Sequence, residues 1–493
     1  MVVKYFDVKK DKLGRIDLVF SSAVFLFVFL PAVFILYRLI PSHKIKNLLL
    51  AAASIVFYAF GQLQYVPLFL ASVVINYVSG LLLQEKTQRR KLILGISVFL
   101  NIAILCVFKY TDFLIENLNK GFSLSVPYAG LVLPIGISFF TFQGMSYTID
   151  TYRDPKSGTK DFLKLLLYIS FFPQLIAGPI VKYHDIADQI DERRCTPEQT
   201  TYGVNRFIRG LSKKILIANA VGYIADCVFD RCLPNGITDW PLMWLGGICY
   251  TLQIYFDFSG YSDMAIGMGR MFGFCFRENF DYPYASSSIR EFWRKWHISL
   301  SSWFKDYLYI PLGGNRKGKW RTAFNKLFVF FCTGLWHGAN WTFVFWGLGH
   351  GLLASLEDLG VIPAKRLQES RIGRLAARLY TLLAVMLLFV VFRADSLTQG
   401  LSVISHMFTG GMSAYGLYLF RSLLDPAACA VILLALVFSG RIPRLLSSSL
   451  ERFSEKRKTL ALTCRALFSL ALYALCIMSL ARGGFNPFIY FQF

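Results

Sequence analysis

Charge is scarce in this chain, and acidic charge scarcer still. Asp, Glu, Lys and Arg make up 17% of its 493 residues, where a soluble globular protein carries about a quarter. The 52 basic residues outnumber the 30 acidic ones, for a net charge of +22. Familiar soluble-enzyme motifs are missing too. No Gly-x-Ser-x-Gly elbow, Walker loop or dinucleotide fingerprint occurs, which leaves serine esterases, nucleotide-driven pumps and redox enzymes without a motif. The 10 cysteines never form Cys-x-x-Cys, and four residues separate Cys227 from Cys232. With Cys106, Cys249, Cys332 and Cys476 in apolar runs, the set reads as buried reduced thiols. No His/Cys/carboxylate cluster has zinc-type spacing, so no metal and no bound cofactor are expected. A soluble basic face is lacking, which argues against nucleic acid as a partner.

Apolar residues take the place of charge: 55% of the chain is hydrophobic and 16% aromatic, with a mean hydropathy of +0.48. The runs Val19–Ile40, Tyr65–Leu83, Leu92–Phe108, Leu375–Phe392, Ala427–Phe438 with its flanks, and Leu460–Leu480 approach or pass the roughly 18 residues that suggest a bilayer span. The alternating pattern of a membrane barrel is absent. The expected fold is therefore all-α: a polytopic protein of about 11 transmembrane helices, plus re-entrant or interfacial helices around a central funnel. Residues 1–18 read as a polar tail and 19–493 as one membrane domain, with no repeat or linker dividing it. The run from Val19 is too long for a signal core and offers no small-residue cleavage site, so it reads as a retained first span.

Some segments are irregular. Asn47–Phe60 is short for a span. Leu133–Ile149 and Phe171–Ile180 are interrupted by Gly, Pro and polar residues, which bilayer depth tolerates only where backbone is buried in protein or lines a wet cavity. These segments are expected to wall the funnel. The basic clusters HKIK, EKTQRRK, RKGKWR, AKRLQESRIGR and ERFSEKRK fall between apolar runs, as cytoplasmic loops do, and can also attract an anionic donor or lipid. If Asn47–Leu83 is a helical hairpin, HKIK and EKTQRRK share the cytoplasmic side. The N-terminal tail then lies outside, against its own Lys4, Lys9, Lys10, Lys12 and Arg15, so the charge rule conflicts with itself there.

An ionisable side chain at membrane depth is costly and points to function. Two of the six histidines, His297 and His337, lie in the Trp-rich window Arg290–Asn340. Histidine titrates near neutral pH and can lift a proton from a hydroxyl or thiol, so acyl transfer within the membrane is the first chemistry to consider. Trp336 and Trp341 are placed to shield or pack around the His337 ring, with Gly334 and Gly338 leaving space beside it. The alternative is a buried histidine bonded to a neighbouring carbonyl. His297 follows REFWRKW; it either orients the first imidazole, binds the acyl oxygen or holds the acceptor, or belongs to an amphipathic helix at the headgroups. His350, 13 residues after His337, would fall on a different helix face. Asp257, in YFDFSGYSDMAIG, either binds an acceptor hydroxyl or ties helices together. The Gly-rich basic turn Pro311–Arg321 either meets donor phosphates or is a positive-inside loop.

Several of these stretches together resemble the bacterial membrane-bound O-acyltransferases. They are WRKWHISLSSWFKDYLYIPLGGNR, GLWHGANWTFVFWGLGHG, LVFSSAVFLFVFLPAVF, DFSGYSDMAIGMGRMFGF and the closing FNPFIYFQF. The resemblance is nearest to the alginate O-acetyltransferase branch, and more distant to the D-alanyl-lipoteichoic acid branch. It runs from Leu18 to Phe493 and departs in the tail before Leu18. It implies a multi-pass protein of the bacterial inner membrane with His337 as catalytic base and His297 as the second histidine, a position relatives can fill with Asn. Arg290, Trp293, Arg294, Trp336, Asn340 and Asp257 become candidates for binding donor or substrate. The resemblance also implies acetyl-CoA as a cytosolic thioester donor. The acceptor would be an exported polysaccharide, reached in some cases through a secreted or periplasmic acetyltransferase partner. D-alanyl or other acyl transfer to a teichoic acid or wall glycan is the alternative within the family. A transporter or flippase for a surface glycan, or a scaffold for a polysaccharide synthase, are the readings from other classes. Inverted halves, which a transporter would favour, are not visible.

Overall fold

The computed structural model describes residues 19–444 and 458–482. The N-terminal tail and the closing FNPFIYFQF stretch lie outside the described residues. Among those described, the protein is helical with no strand. The first helices are α1 (Phe25–Leu39), α2 (His43–Gln62), α3 (Val66–Gln84) and α4 (Arg90–Phe122). They show the hairpin expected from the charge pattern, with one difference. The segment judged short begins at His43, because Lys44, Lys46 and Asn47 are helical too; the 20-residue α2 is about 30 Å long and adequate for a span. Polar residues at its start find partners, as Asn47 Nδ2 donates to the Ile190 carbonyl at 2.9 Å.

The middle of the chain comprises α5 (Ile137–Arg153), α6 (Phe162–Ser170), α7 (Tyr183–Asp191), α8 (Pro197–Ser212), α9 (Asn219–Cys227) and α10 (Trp240–Met271). Between α6 and α7, Phe171–Val181 is almost wholly buried although most of it is not helical, the irregular depth segment that Gly and Pro foreshadowed. The polar patch around Asp257 does not interrupt two apolar segments as its composition implied. It lies inside the 32-residue α10, nearly every side chain of which is buried, so other helices rather than lipid surround it.

The chain continues through α11 (Ile289–Lys295), α12 (Ile298–Phe304), α13 (Gly318–His337), α14 (Trp341–Leu359), α15 (Arg371–Arg393), α16 (Leu397–Thr409), α17 (Ala414–Leu423), α18 (Pro426–Ser439) and α19 (Lys458–Ala481). Among the described residues, four helical stretches are long and apolar enough to cross a membrane, with α2 and α3 counted together as His43–Gln84, or five if α17 and α18, bent by 70°, count as one. The helices α5 and α10 are mostly buried inside the bundle and can carry polar residues.

Close approach of α8 and α10 depends on paired glycines. A Cβ on Gly267 would lie 2.6 Å from the Gly203 carbonyl oxygen, and one on Gly260 would lie 2.7 Å from that of Gly210. The spacing of seven repeats on both helices, so backbones meet directly, as small residues allow in membranes. Gly210→Val is expected to separate them and cost about 1–3 kcal/mol. The check is the thermal midpoint of detergent-purified protein by fluorescence-detected size exclusion; an unchanged midpoint would contradict the contact.

Candidate active site

Three short devices build the site. Ser288 caps α11 by accepting from Glu291 N at 3.0 Å. The chain then turns at His297, whose φ of 45° is left-handed, a conformation of some cost in a non-glycine residue and typical of functional turns. Finally, α13 ends on His337. Gly338 and Asn340 are extended, and Asn340 Oδ1 accepts from Thr342 N at 3.1 Å, starting α14 in the reverse direction. The WHGANW motif is thus a helix end, a turn and a helix start.

This turn revises two expectations. Gly334 and Gly338 do not leave space beside the imidazole. Cβ atoms there would run into the Phe343 backbone and ring, so these glycines seat α14 against α13. Nor do His350 and His337 lie on different faces of one helix; they stand on two helices, both against Trp346, at ring distances of 5.2 and 4.8 Å.

His337 is buried, 9% exposed, between Trp336 at 4.9 Å, Trp346 at 4.8 Å and Phe392 at 5.5 Å. Its Nδ1 lies 2.7 Å from the Thr333 carbonyl. A carbonyl only accepts, so Nδ1 carries the proton and Nε2 presents a lone pair. Bonding to a carbonyl and service as a base are therefore compatible. His297 is fully buried, not interfacial. Its Nδ1 is 3.2 Å from Asn279 Oδ1, an oxygen identified by the bond it accepts from Ser299 N at 3.2 Å. Asn279 is held in turn by Ser262 Oγ at 3.1 Å. His297 thus also carries its proton on Nδ1. Trp336 bridges the two histidines, 6.0 Å from His297. Its indole Nε1 has no hydrogen-bond partner among the described residues, and the same is true of Trp293 Nε1, Trp346 Nε1 and both His350 ring nitrogens.

A cavity of about 620 Å³ runs along α13 from Lys326 to Thr333, lined also by Arg290, Trp293, Arg294 and Lys305. Its inner end is one turn from His337. Its outer end meets a second cavity of about 730 Å³, formed by Lys305, Arg316, Lys319, Lys326 and the Gly313–Gly314 turn. Arg290 and Lys326 both pair with Asp358. Among the described residues, Lys305, Arg316 and Lys319 have no carboxylate partner.

Of the residues singled out in the sequence, Arg290, Trp293 and Arg294 line this path, and Trp336 joins the histidines. The others lie elsewhere. Asp257 pairs with Lys214 at 2.9 Å in the interior, the helix-tying alternative. Asn340 caps α14 and donates to the Asp395 carbonyl at 2.9 Å. Trp341 does not pack around the imidazole; it is 54% exposed and donates to Asn117 Oδ1 at 2.9 Å. The sequence reading missed Asn279 and Ser299, which carry no motif signal, and Lys109, whose signal was a lone cation at the edge of an apolar run.

An ionic cluster braces the mouth. Lys182 pairs with Asp306 at 2.5 Å. Asp150 accepts from Tyr307 OH at 2.7 Å and from His184 Nδ1 at 2.9 Å. The hydrogen bond to Asp150, aided by the charges of Asp185 and Asp150, raises the His184 pKa above 6.5 despite partial burial. A raised histidine pKa gives stability that is complete below the unfolded value and fades as pH climbs through the folded one. The thermal midpoint should therefore fall as pH is taken upward from 6.5, and His184→Gln should flatten that slope; an identical slope in both proteins would exclude the pair as its source.

The membrane-bound O-acyltransferase family profile matches residues 65–398, which include both histidines and the cavity. The "Probable alginate O-acetylase AlgI" of Azotobacter vinelandii is 38% identical over 97% of this chain and 100% of that protein. The "Peptidoglycan O-acetyltransferase" of Helicobacter pylori is 36% identical over 79% of this chain and 80% of its own. The "Teichoic acid D-alanyltransferase" of Bacillus subtilis is 30% identical over 46% of this chain and 59% of its own.

Proposed function

Because the chain belongs to the membrane-bound O-acyltransferase family, an O-acyltransferase activity is its premise, and we propose that it transfers acetyl from cytosolic acetyl-CoA toward the hydroxyls of an exported polysaccharide, with His337 as general base. One observation carries the reading: a continuous path from a basic cleft to within one helical turn of an imidazole whose Nε2 lone pair is available. Relatives with names specifying acetyl transfer to alginate and peptidoglycan support an exported glycan as the acceptor. A periplasmic acetyltransferase partner fits that topology.

The basic cleft takes the cytoplasmic side. The starts of α2 and α4 and the end of α5 face the same way as this cleft. Arg90 donates to the Tyr152 carbonyl at 2.7 Å, and Arg153 to the Asp306 carbonyl at 2.8 Å. Clustered Lys and Arg support a cytoplasmic orientation of that face in a bacterial inner membrane. His337 closes the 20-residue α13, so it lies roughly 30 Å from the mouth, close to the opposite surface where an exported acceptor would arrive.

Lys305, Arg316 and Lys319 hold the donor's phosphates while its uncharged arm enters the apolar cavity. As the acceptor oxygen attacks the thioester carbon, its proton passes to His337 Nε2; the C–S bond then breaks and the imidazolium returns the proton to the thiolate. Such general-base assistance is worth about 10²–10⁴-fold. Trp336 Nε1–H, lying between the histidines, donates to the developing oxyanion. His297, held through Nδ1 by Asn279, stands behind Trp336 and helps orient the acceptor.

In proteoliposomes given labelled acetyl-CoA, His337→Ala should lower turnover by about 10²-fold or more while the protein accumulates normally; wild-type turnover in that variant would remove His337 from the chemistry. Lys305→Glu with Lys319→Glu should raise the KM for acetyl-CoA about tenfold, or ~1.4 kcal/mol, with little change in kcat. An unaltered KM would place the donor elsewhere.

A further inference from the structure

The last carbonyls of an α-helix lack partners within the helix. At the end of α13 the neighbouring helix α4 supplies them. Tyr110 OH donates to the Leu335 carbonyl at 2.6 Å. Lys109 Nζ donates to the Trp336 carbonyl at 2.5 Å and the His337 carbonyl at 3.0 Å. Gly338 N closes the set on Gly334 at 3.4 Å. Two adjacent α4 side chains therefore bind three consecutive peptide units, those of the Leu-Trp-His in the motif.

Lys109 lies 19 residues into α4, roughly 28 Å along the helix from its cytoplasmic start. Among the described residues no carboxylate pairs with it. Its charge is offset instead by the partial negative end of α13, where a cation is favoured. Lys109 is partly buried toward the far end of the apolar stretch, and its ammonium clasps the two residues that carry the proposed chemistry. Beyond His337 the chain is extended at Gly338, so without the clasp the final turn of α13 could unwind, and the Thr333–His337 bond that fixes the imidazole tautomer would go with it.

We propose that Lys109 is the positioning residue of His337: it holds the end of α13 so that Nε2 stays aimed at the reacting centre, without itself touching substrate. This rests on the His337 reading above.

The test compares Lys109→Met, Lys109→Gln and Lys109→Arg in proteoliposomes with labelled acetyl-CoA, alongside hydrogen–deuterium exchange of the peptide covering residues 333–341. Lys109→Met should lower kcat by 10-fold or more with KM for acetyl-CoA within twofold, a split that general loosening of the fold would not give. It should also speed exchange of that peptide selectively. Lys109→Arg should restore kcat to within about threefold of wild type, since it keeps both the charge and the donors. If Lys109→Met fails to accumulate, Lys109→Gln decides, with a reduced kcat supporting the inference and a wild-type kcat overturning it. Unchanged exchange at 333–341 in the Met or Gln variant would also overturn it. Absence of any turnover in the wild-type protein would instead strike the proposed function, and the exchange measurement would still judge the clasp.

Discussion

A helix whose final carbonyls are buried in protein, away from water, must have them met by other groups of the chain. That constraint governs this molecule at the end of α13. The helix stops on His337 because Gly338 turns the chain, and it can stop there because Lys109 and Tyr110 bind the exposed carbonyls. Everything proposed for the site follows from that arrested helix. The imidazole is fixed by Thr333, the return helix α14 brings Trp346 against it, and the cavity along α13 reaches Thr333, one turn before it.

The same rule explains why the bundle is layered. Helices facing lipid are apolar enough to be recognised alone, whereas inner ones are not. In α10, Asp257 and Asp263 are tolerated because Lys214, Arg206 and Lys213 reach them from the α8 side. Removing one member of such a pair would leave an uncompensated buried charge, costing about 3–5 kcal/mol. The ionic pairs thus fix how α8 and the segment after it sit against α10, whose C-terminal loop carries Asn279 to His297.

Much of this was legible in the sequence. Apolar runs located the outer helices, and GLWHGANW marked a buried histidine one helical turn from the inner end of the cavity. Phe171–Ile180 is buried irregular chain, as its Gly and Pro allowed, but neither it nor Leu133–Ile149, most of which is the regular α5, lines the two cavities. Other features were not legible because they depend on partners distant along the chain. Composition could not choose between the two roles of Asp257, since Lys214 decides it. Gly334 and Gly338 looked like room for a substrate and are instead the contact surface for Phe343. The apolar run was ended at Phe108, one residue before the lysine that clasps the site. The span count was equally out of reach of hydropathy, because α5 and α10 are screened by their neighbours and need not look like spans.

The account stands or falls on where the acyl carbon sits. The most direct measurement is an experimental structure of the protein in lipid with a non-hydrolysable acetyl-CoA analogue. The prediction is an acyl carbon close enough for a shared attack geometry with His337 Nε2, allowing about 3–3.5 Å between reacting atoms, with phosphates among Lys305, Arg316 and Lys319. An analogue whose acyl end lies outside the cavity along α13, or is walled off from the His337 ring, would contradict it.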